Sequence, residues 1–291
     1  MKHAITFTKA TGAGNDFVIV ENLNRGLPGD IGILARALCS RHFGIGADGL
    51  LLLEPSTIAD FAMLYFNADG SYGGMCGNGG RCLARYAYLQ NIGGPKLRFE
   101  ALDHVYEAEM TGTQIKLKMK NPSAIRSGVG FAAGNRSFTG HFINTGAPHV
   151  VIFTDDIETL DVNSLGRLIR EHEVFAPEGT NVNFVRVAEG NHVSIRTYER
   201  GVENETLACG TGSVASAIMT SIVHKQKPPI TVHVRSGEEL LVTFDSSRDQ
   251  VAEVYLQGNA VMIFTGKVLY DDVSGKILEI NPSVSSPISI H

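Results

Sequence analysis

Cys76 and Cys209 each stand directly before a Gly-polar-Gly step, in MCGNGGRCLARY (75–86) and ACGTGSVASAIM (208–219), and each step opens a helix-like apolar pattern. Glycine after the cysteine lets a backbone approach a ligand closely. The first N–H groups of a helix have no partner within it and carry partial positive charge. A helix that opens on Cys-Gly-Asn-Gly or Cys-Gly-Thr-Gly therefore offers a carboxylate site, and the same field favours thiolate over thiol. One such helix could serve a nucleophile or bind a phosphate. Two of them suit inversion at an amino-acid α-carbon, with a proton removed from one face and another delivered to the opposite face. A single base tends to return the proton to the face it left. The carbanion between the two steps needs preorganised donors at the carboxylate and a dry cleft.

The elements that must position these cysteines are repeated. Cys76 and Cys209 are 133 residues apart, and at that offset TYERG (197–201) falls over LYFNA (64–68). NTGAPHVVIFT (144–154) falls over ATGAGNDFVIV (10–20) at an offset of 134, and PEGTNVNFVRV (177–187) lies roughly over GIGADGLLLLE (44–54). Order and spacing agree at four points, so the chain reads as two homologous halves. Each half gives the same string. A strand runs into a Thr-Gly-Ala turn and a second strand leaves it. A helix follows at 30–42, with Asp30 as its N-cap, or at 161–172. Two strands end at Phe66 or Tyr198, the cysteine helix spans 77–90 or 210–224, and β-like segments fill 97–119 or 230–264. Many strands with two helices per half predict an α+β fold of two pseudo-symmetric halves, each a sheet wrapped around its helix. The expected organisation is an N-terminal half at 1–128 carrying Cys76, a C-terminal half at 129–268 carrying Cys209, and an appended tail at 269–291, with the boundary in the Gly-, Ser- and Asn-dense stretch near 122–135.

Composition narrows the function classes. With 291 residues, 43% of them hydrophobic, the chain can build two cores. A net charge of −5 with no basic block argues against a nucleic-acid partner. Apolar runs such as 50–53 and 150–153 are far too short to span a bilayer, and the first twelve residues lack the apolar stretch of a signal peptide. A cytoplasmic protein with no membrane partner is expected. Of the four cysteines, Cys39 and Cys82 sit on apolar helix patterns and read as small buried residues. No Cys-x-x-Cys pair and no zinc-type His-Cys spacing occurs, so no metal is expected. The motifs contain no lysine for a pyridoxal phosphate linkage, and the chemistry is expected to run without a cofactor.

GAGNDF (12–17), FNADGS (66–71), CGNGGRC (76–82), GAPH (146–149), GTNVNF (179–184) and ERG…ETLACGTG (199–212) together resemble the diaminopimelate epimerase family, over about residues 5–268. The resemblance implies a cofactor-independent two-cysteine isomerase that interconverts LL- and meso-diaminopimelate, on the route to lysine and peptidoglycan. It implies two similar halves, each a β-barrel around a central helix, with the site in the cleft between them. Carried over residue by residue, it makes Cys76 and Cys209 the acid/base pair. Gly77 and Asn78, with Gly210 and Thr211, would hold the reacting carboxylate. Asn15, Asn67, Asn181, Glu199 and Arg200 would hold the rest of the substrate, and His149 and Glu199 would tune the thiols. Taken alone, Asn15 and Asn67 would read as turn residues, Glu199 and Arg200 as a solvated pair and His149 as a structural histidine. The chain departs from a common family pattern at Ala147, where an Asn often stands, at Gly49, where some members have Gln, and in one extra residue between Arg200 and Cys209. A racemase or epimerase of the same fold acting on hydroxyproline or histidine is the alternative. A thiol redox protein and a non-catalytic binding module are readings from other classes. The partner expected is a small-molecule amino acid, with a homodimer as an option.

Overall fold

The computed structural model describes residues 1–246 and 250–283. It divides into two compact units, Met1–Leu117 together with the chain from Asn259 onward, and Lys118–Gly258.

In the first unit the strand Lys2–Gly12 turns through Ala13 and Gly14, both at positive φ (56° and 94°), into the antiparallel strand Asn15–Glu21. The chain then crosses over through helix α1, Ile31–Cys39, to Gly49–Glu54, which runs parallel to Asn15–Glu21 with Phe17 opposite Gly49. Phe61–Asn67 returns antiparallel to it. A second crossover, helix α2 at Gly77–Leu89, leads to Lys96–Ala101, parallel to Phe61–Asn67, and the meander continues through His104–Thr111 and Gln114–Lys118. Asp30 caps α1 by accepting the Ile33 N–H. The buried face of α1, Leu34, Ala35, Leu38 and Cys39, packs on Val18, Val20, Leu50 and Leu52. Helix α2 lies against strands from across the whole sheet, from Lys2–Gly12 to His104–Thr111, so the sheet curls around it. Burial at Cys39 pushes its thiol pKa up to about 12, and Cys82 is fully buried on α2. Both behave as the apolar residues expected of them.

The second unit repeats this path. Pro148–Phe153 crosses over through helix α3, Val162–Arg170, to the parallel strand Asn181–Val187, with His149 opposite Asn181. His192–Glu199 returns antiparallel. Helix α4, Gly210–His224, then crosses to Ile230–His233, parallel to His192–Glu199, and Glu239–Asp245 follows. Asp161 caps α3 as Asp30 caps α1. Val214, Ala215, Ala217, Ile218 and Met219 are fully buried, as an apolar helix enclosed by its sheet requires.

The limits of the units differ from the expected ones. Ser123–Ala133 pairs with Arg136–Asn144, and this hairpin draws the start of the second unit back to Lys118 from the expected 129. Val261–Asp271 pairs with Lys2–Gly12, Ile5 opposite Val268, and so belongs to the first unit. The segment read as an appended tail begins inside that strand and continues as Lys276–Ser283, paired to it in turn. Residues 284–291 lie outside the described residues. Among the described residues no helix is long and apolar enough to cross a membrane.

Gly166 shows how tightly α3 sits on its sheet: a Cβ there would lie 2.4 Å from Cβ of Tyr198. Alanine in a helix gains about 1 kcal/mol over glycine, whereas overpacking costs about 1–3 kcal/mol. The clashing atom is next to backbone and cannot swing away, so the steric cost wins. Gly166→Ala is expected to lower the urea midpoint; a raised midpoint would show that α3 can lift off the strand freely.

Candidate active site

Both special cysteines are N-caps. Cys76 precedes α2 in an extended conformation (φ −118°, ψ 122°) and Cys209 precedes α4 in nearly the same one (φ −121°, ψ 115°). The Cys76 sulfur accepts the Gly79 N–H at 3.5 Å and the Cys209 sulfur accepts the Gly212 N–H at 3.4 Å. Each sulfur thus fills the place that Ser, Thr, Asp or Asn usually takes at a helix start. A side chain at position 212 would meet Asn183 Oδ1 at 2.5 Å, so the second glycine of the step is a steric requirement. Gly77 and Gly210 are buried at the first helical position, where backbone N–H groups lack helical acceptors.

In the first unit a chain of side chains leads to α2. Arg41 bonds Asp48 at 2.7 Å and Asp16 at 2.9 Å, and Lys9 bonds Asp16 at 2.7 Å. Burial would raise the Asp16 pKa, but hydrogen bonds from Arg41 and Lys9 outweigh it and hold the group below the usual carboxylate value. Asp16 and Asp48 also accept each other's backbone N–H. From Asp48 the chain runs inward. Asn15 Nδ2 donates to Asp48 at 3.0 Å, Asn78 Nδ2 donates to Asn15 Oδ1 at 2.5 Å, and Arg81 donates to Asn78 Oδ1 at 2.9 Å.

The second unit builds a chain that ends on sulfur. Asn183 Nδ2 lies 3.1 Å from both the Val150 carbonyl and His149 Nδ1, and its Oδ1 accepts from Thr197 at 3.0 Å. A carbonyl can only accept, so the amide's hydrogens face Val150 and His149. His149 Nδ1 is then an acceptor and its proton sits on Nε2, which donates to Thr211 Oγ1 at 2.9 Å. That leaves the Thr211 hydroxyl hydrogen for the Cys209 sulfur at 3.5 Å. His149 is fully buried, and burial followed by the Arg200 charge pushes its pKa down to about 3. It is a neutral imidazole of fixed tautomer. At the repeat offset of 134 it occupies the position of Asn15, and each of the two meets the second residue of its cysteine helix.

A family profile described as diaminopimelate epimerase matches residues 7–125 and 141–263. The chain is 46% identical to the diaminopimelate epimerase of Chlorobaculum tepidum over 262 residues, covering 89% of this chain and 99% of that protein. It is 41% identical to that of Aquifex aeolicus, covering 90% and 97%. The chain belongs to the diaminopimelate epimerase family. Among solved structures it is similar to a Bacillus anthracis protein of the PhzF phenazine-biosynthesis family (TM-score 0.71, 16% identity, 92% and 99% of the two chains). It is also similar to a hydroxyproline epimerase from Agrobacterium vitis with bound trans-4-hydroxy-L-proline (TM-score 0.67, 14% identity, 94% of each). At those identities the likeness is one of fold, and the fold is the two-part α+β architecture expected of the repeat.

The residues singled out in the sequence fall into distinct groups. Cys76, Gly77, Asn78 and Asn15 meet at the start of α2, and Cys209, Gly210, Thr211 and His149 meet at the start of α4. Asn67 is engaged in its own turn, its amide on Ser71 Oγ at 3.0 Å. Asn181 is buried and clamps backbone: it donates to the Pro148 carbonyl and accepts the Arg200 N–H, both at 2.9 Å. Arg200 places one guanidinium N–H on the Glu178 carbonyl at 2.9 Å, and Glu199 ends the strand beside it, half-buried. Asp48, Asn183, Thr197 and Thr145, whose hydroxyl bonds the Thr211 carbonyl at 2.9 Å, escaped the sequence reading. The matching offsets of 15 with 149 and 78 with 211 could have found the first link of each chain. Gly49 has a local explanation, since any Cβ there would lie 2.4 Å from the Tyr65 ring; the tyrosine fills the space that a glutamine would need. Among the described residues no group of three or more His, Cys, Asp or Glu is placed to hold a metal ion.

The buried neutral His149 predicts acid sensitivity. Its folded pKa, about 3, lies below the unfolded 6.5, so the unfolded chain binds the extra proton first. The contribution is fully present above pH 6.5 and declines as pH falls towards 3, by up to about 1.4 kcal/mol per pH unit. Urea unfolding at pH 7, 6 and 5 should show a steeper loss in the wild type than in His149→Gln; parallel pH profiles would show that His149 takes up a proton in the folded state.

Proposed function

We propose that this protein inverts one α-carbon of diaminopimelate, converting the LL- to the meso-isomer by proton transfer between two thiols without a cofactor. The observation that carries the reading is the repeated N-cap cysteine, with each sulfur accepting the N–H three residues on, in a chain 46% identical to a protein named for this reaction. In this reading one thiolate removes the α-proton and the other thiol protonates the opposite face. The first-turn N–H groups at Gly77, Asn78, Gly210 and Thr211 hold the substrate carboxylate and stabilise the charge that develops on it. Thr211, oriented by His149, steadies the Cys209 sulfur. A neutral imidazole suits this place, because a cation at the positive end of α4 would be repelled.

The unreacting end of diaminopimelate carries an ammonium and a carboxylate. Glu199 and Arg200 supply the complementary charges, with Arg200 able to offer the carboxylate the part of its fork that the Glu178 carbonyl leaves open. Asn15, Asn67 and Asn181 complete the substrate contacts assigned by the family likeness. A cytoplasmic location and a homodimer belong to this proposal on the family likeness, and a place in lysine biosynthesis follows from the reaction.

Purified protein with no cofactor added should incorporate one solvent deuteron into diaminopimelate as it epimerises. Cys76→Ala and Cys209→Ala should each lose at least a hundredfold in rate, at the lower edge of what a positioned acid or base contributes, about 10²–10⁴. Near-wild-type epimerisation by either variant would sink the two-thiol mechanism. A panel with hydroxyproline and histidine tests the substrate: turnover of these comparable to diaminopimelate would move the assignment to a racemase of one-headed amino acids.

A further inference from the structure

Asp48 and Arg81 stand at opposite ends of the amide chain that reaches α2, and their chemistry gives that chain a direction. An ionised carboxylate only accepts hydrogen bonds and a guanidinium only donates them. Asp48 therefore fixes Nδ2 of Asn15 towards itself, at 3.0 Å. Arg81, fully buried, fixes Oδ1 of Asn78 towards itself, at 2.9 Å. The central bond, Asn78 Nδ2 to Asn15 Oδ1 at 2.5 Å, is the one arrangement that agrees with both ends. Turning either amide over would set oxygen against oxygen or N–H against N–H. Asp48 is itself held from several sides, by Arg41 at 2.7 Å and by the exchange of backbone bonds with Asp16.

The direction has a consequence for binding. Each amide spends one of its two N–H hydrogens within the chain and keeps the other. Each amide is left with one N–H at the start of α2, besides a second lone pair on its oxygen, and the first-turn N–H groups there are donors as well. We infer that Asp48 is a positioning residue that locks the Asn15 and Asn78 amides in one orientation, so that both present N–H groups to a substrate carboxylate at the N-terminus of α2. This rests on the epimerase reading for the identity of the substrate, and on the hydrogen-bond chain alone for the orientation. Asp48 touches no reacting atom in this scheme; it acts through Asn15.

The full-length protein tests this with three variants. Asp48→Asn removes the obligatory acceptor and frees the Asn15 amide to turn. KM for diaminopimelate should rise about tenfold, equivalent to about 1.4 kcal/mol, and kcat should fall as well, because the same carboxylate gains charge in the transition state. Asn15→Asp sets two carboxylates against each other and should lower both the thermal midpoint and the affinity. In the exchange Asn15→Asp with Asp48→Asn the amide now at 48 can donate to the carboxylate now at 15, which still accepts from Asn78, but that nitrogen takes the place of the oxygen that accepts the Asp16 N–H, and this backbone bond is lost. The midpoint should recover in part, above that of Asn15→Asp alone. KM should remain high, because position 15 no longer has a hydrogen to give. Recovery of KM together with stability would overturn the inference, since a purely structural chain would behave that way. Side-chain amide NMR of the ligand-free protein reads the orientation without any assay: one Asn15 amide hydrogen should be protected from exchange in the wild type and lose that protection in Asp48→Asn. Equal exchange in both would overturn the locking role. An intact NMR signature in a wild type that fails to turn over diaminopimelate would overturn the carboxylate assignment through the functional reading, and so separates the two failures.

Discussion

A helix that begins in the interior has to find acceptors for its first N–H groups, because an unpaired buried donor costs about as much as a lost hydrogen bond. Both units place such a start at the heart of their sheet: Gly77 to Arg81 are buried at the head of α2, as are Gly210, Gly212 and Ser213 at the head of α4. The cysteine sulfur covers one N–H in each. The rest of each site follows from what that start will tolerate. In both units it requires polar neighbours that bring satisfied hydrogen bonds with them, and in the second also glycine where a side chain would strike Asn183 and a histidine that stays neutral.

The two units answer this constraint with one backbone and two sets of side chains. In the first, the second helix residue is Asn78 and its partner is Asn15, anchored outward to a charged cluster at the protein surface. In the second, the same places hold Thr211 and His149, anchored inward to Asn183 and Thr197, which are almost wholly buried. The pseudo-symmetry of the backbone is therefore not a symmetry of chemistry. One cysteine helix has an amide beside it and the other a hydroxyl directed at sulfur.

The cysteine steps, their helices and the repeat were legible because cysteine, with four in the chain, is rare enough for its spacing to carry information, and because crossover helices leave a clear apolar period. Asn183 and Thr197 were not. A polar residue alternating with apolar ones in a strand looks the same whether it faces water or a buried histidine, and only the fold shows that Asn183 is enclosed. Asn181, two residues away, was singled out through the family likeness, but the backbone groups it holds on two sides were not legible. The outer limits of the units were misread for a different reason. Nothing local in 261–271 announces that its partner strand lies at the far end of the chain, since pairing of that range is a property of topology and not of composition.

That distant pairing sets an order of events during synthesis. The second unit is one continuous stretch, Lys118–Gly258, and all of its strands are available once that stretch has left the ribosome. The first unit is begun earlier but lacks the Val261–Asp271 strand until the whole of the second unit has been made. Until then one edge of Lys2–Gly12, ten of whose residues pair with that strand, presents unpaired backbone groups, the kind of edge that invites association with another chain. The unit begun first is thus finished last, and the nascent protein depends for that interval on whatever shields its open edge.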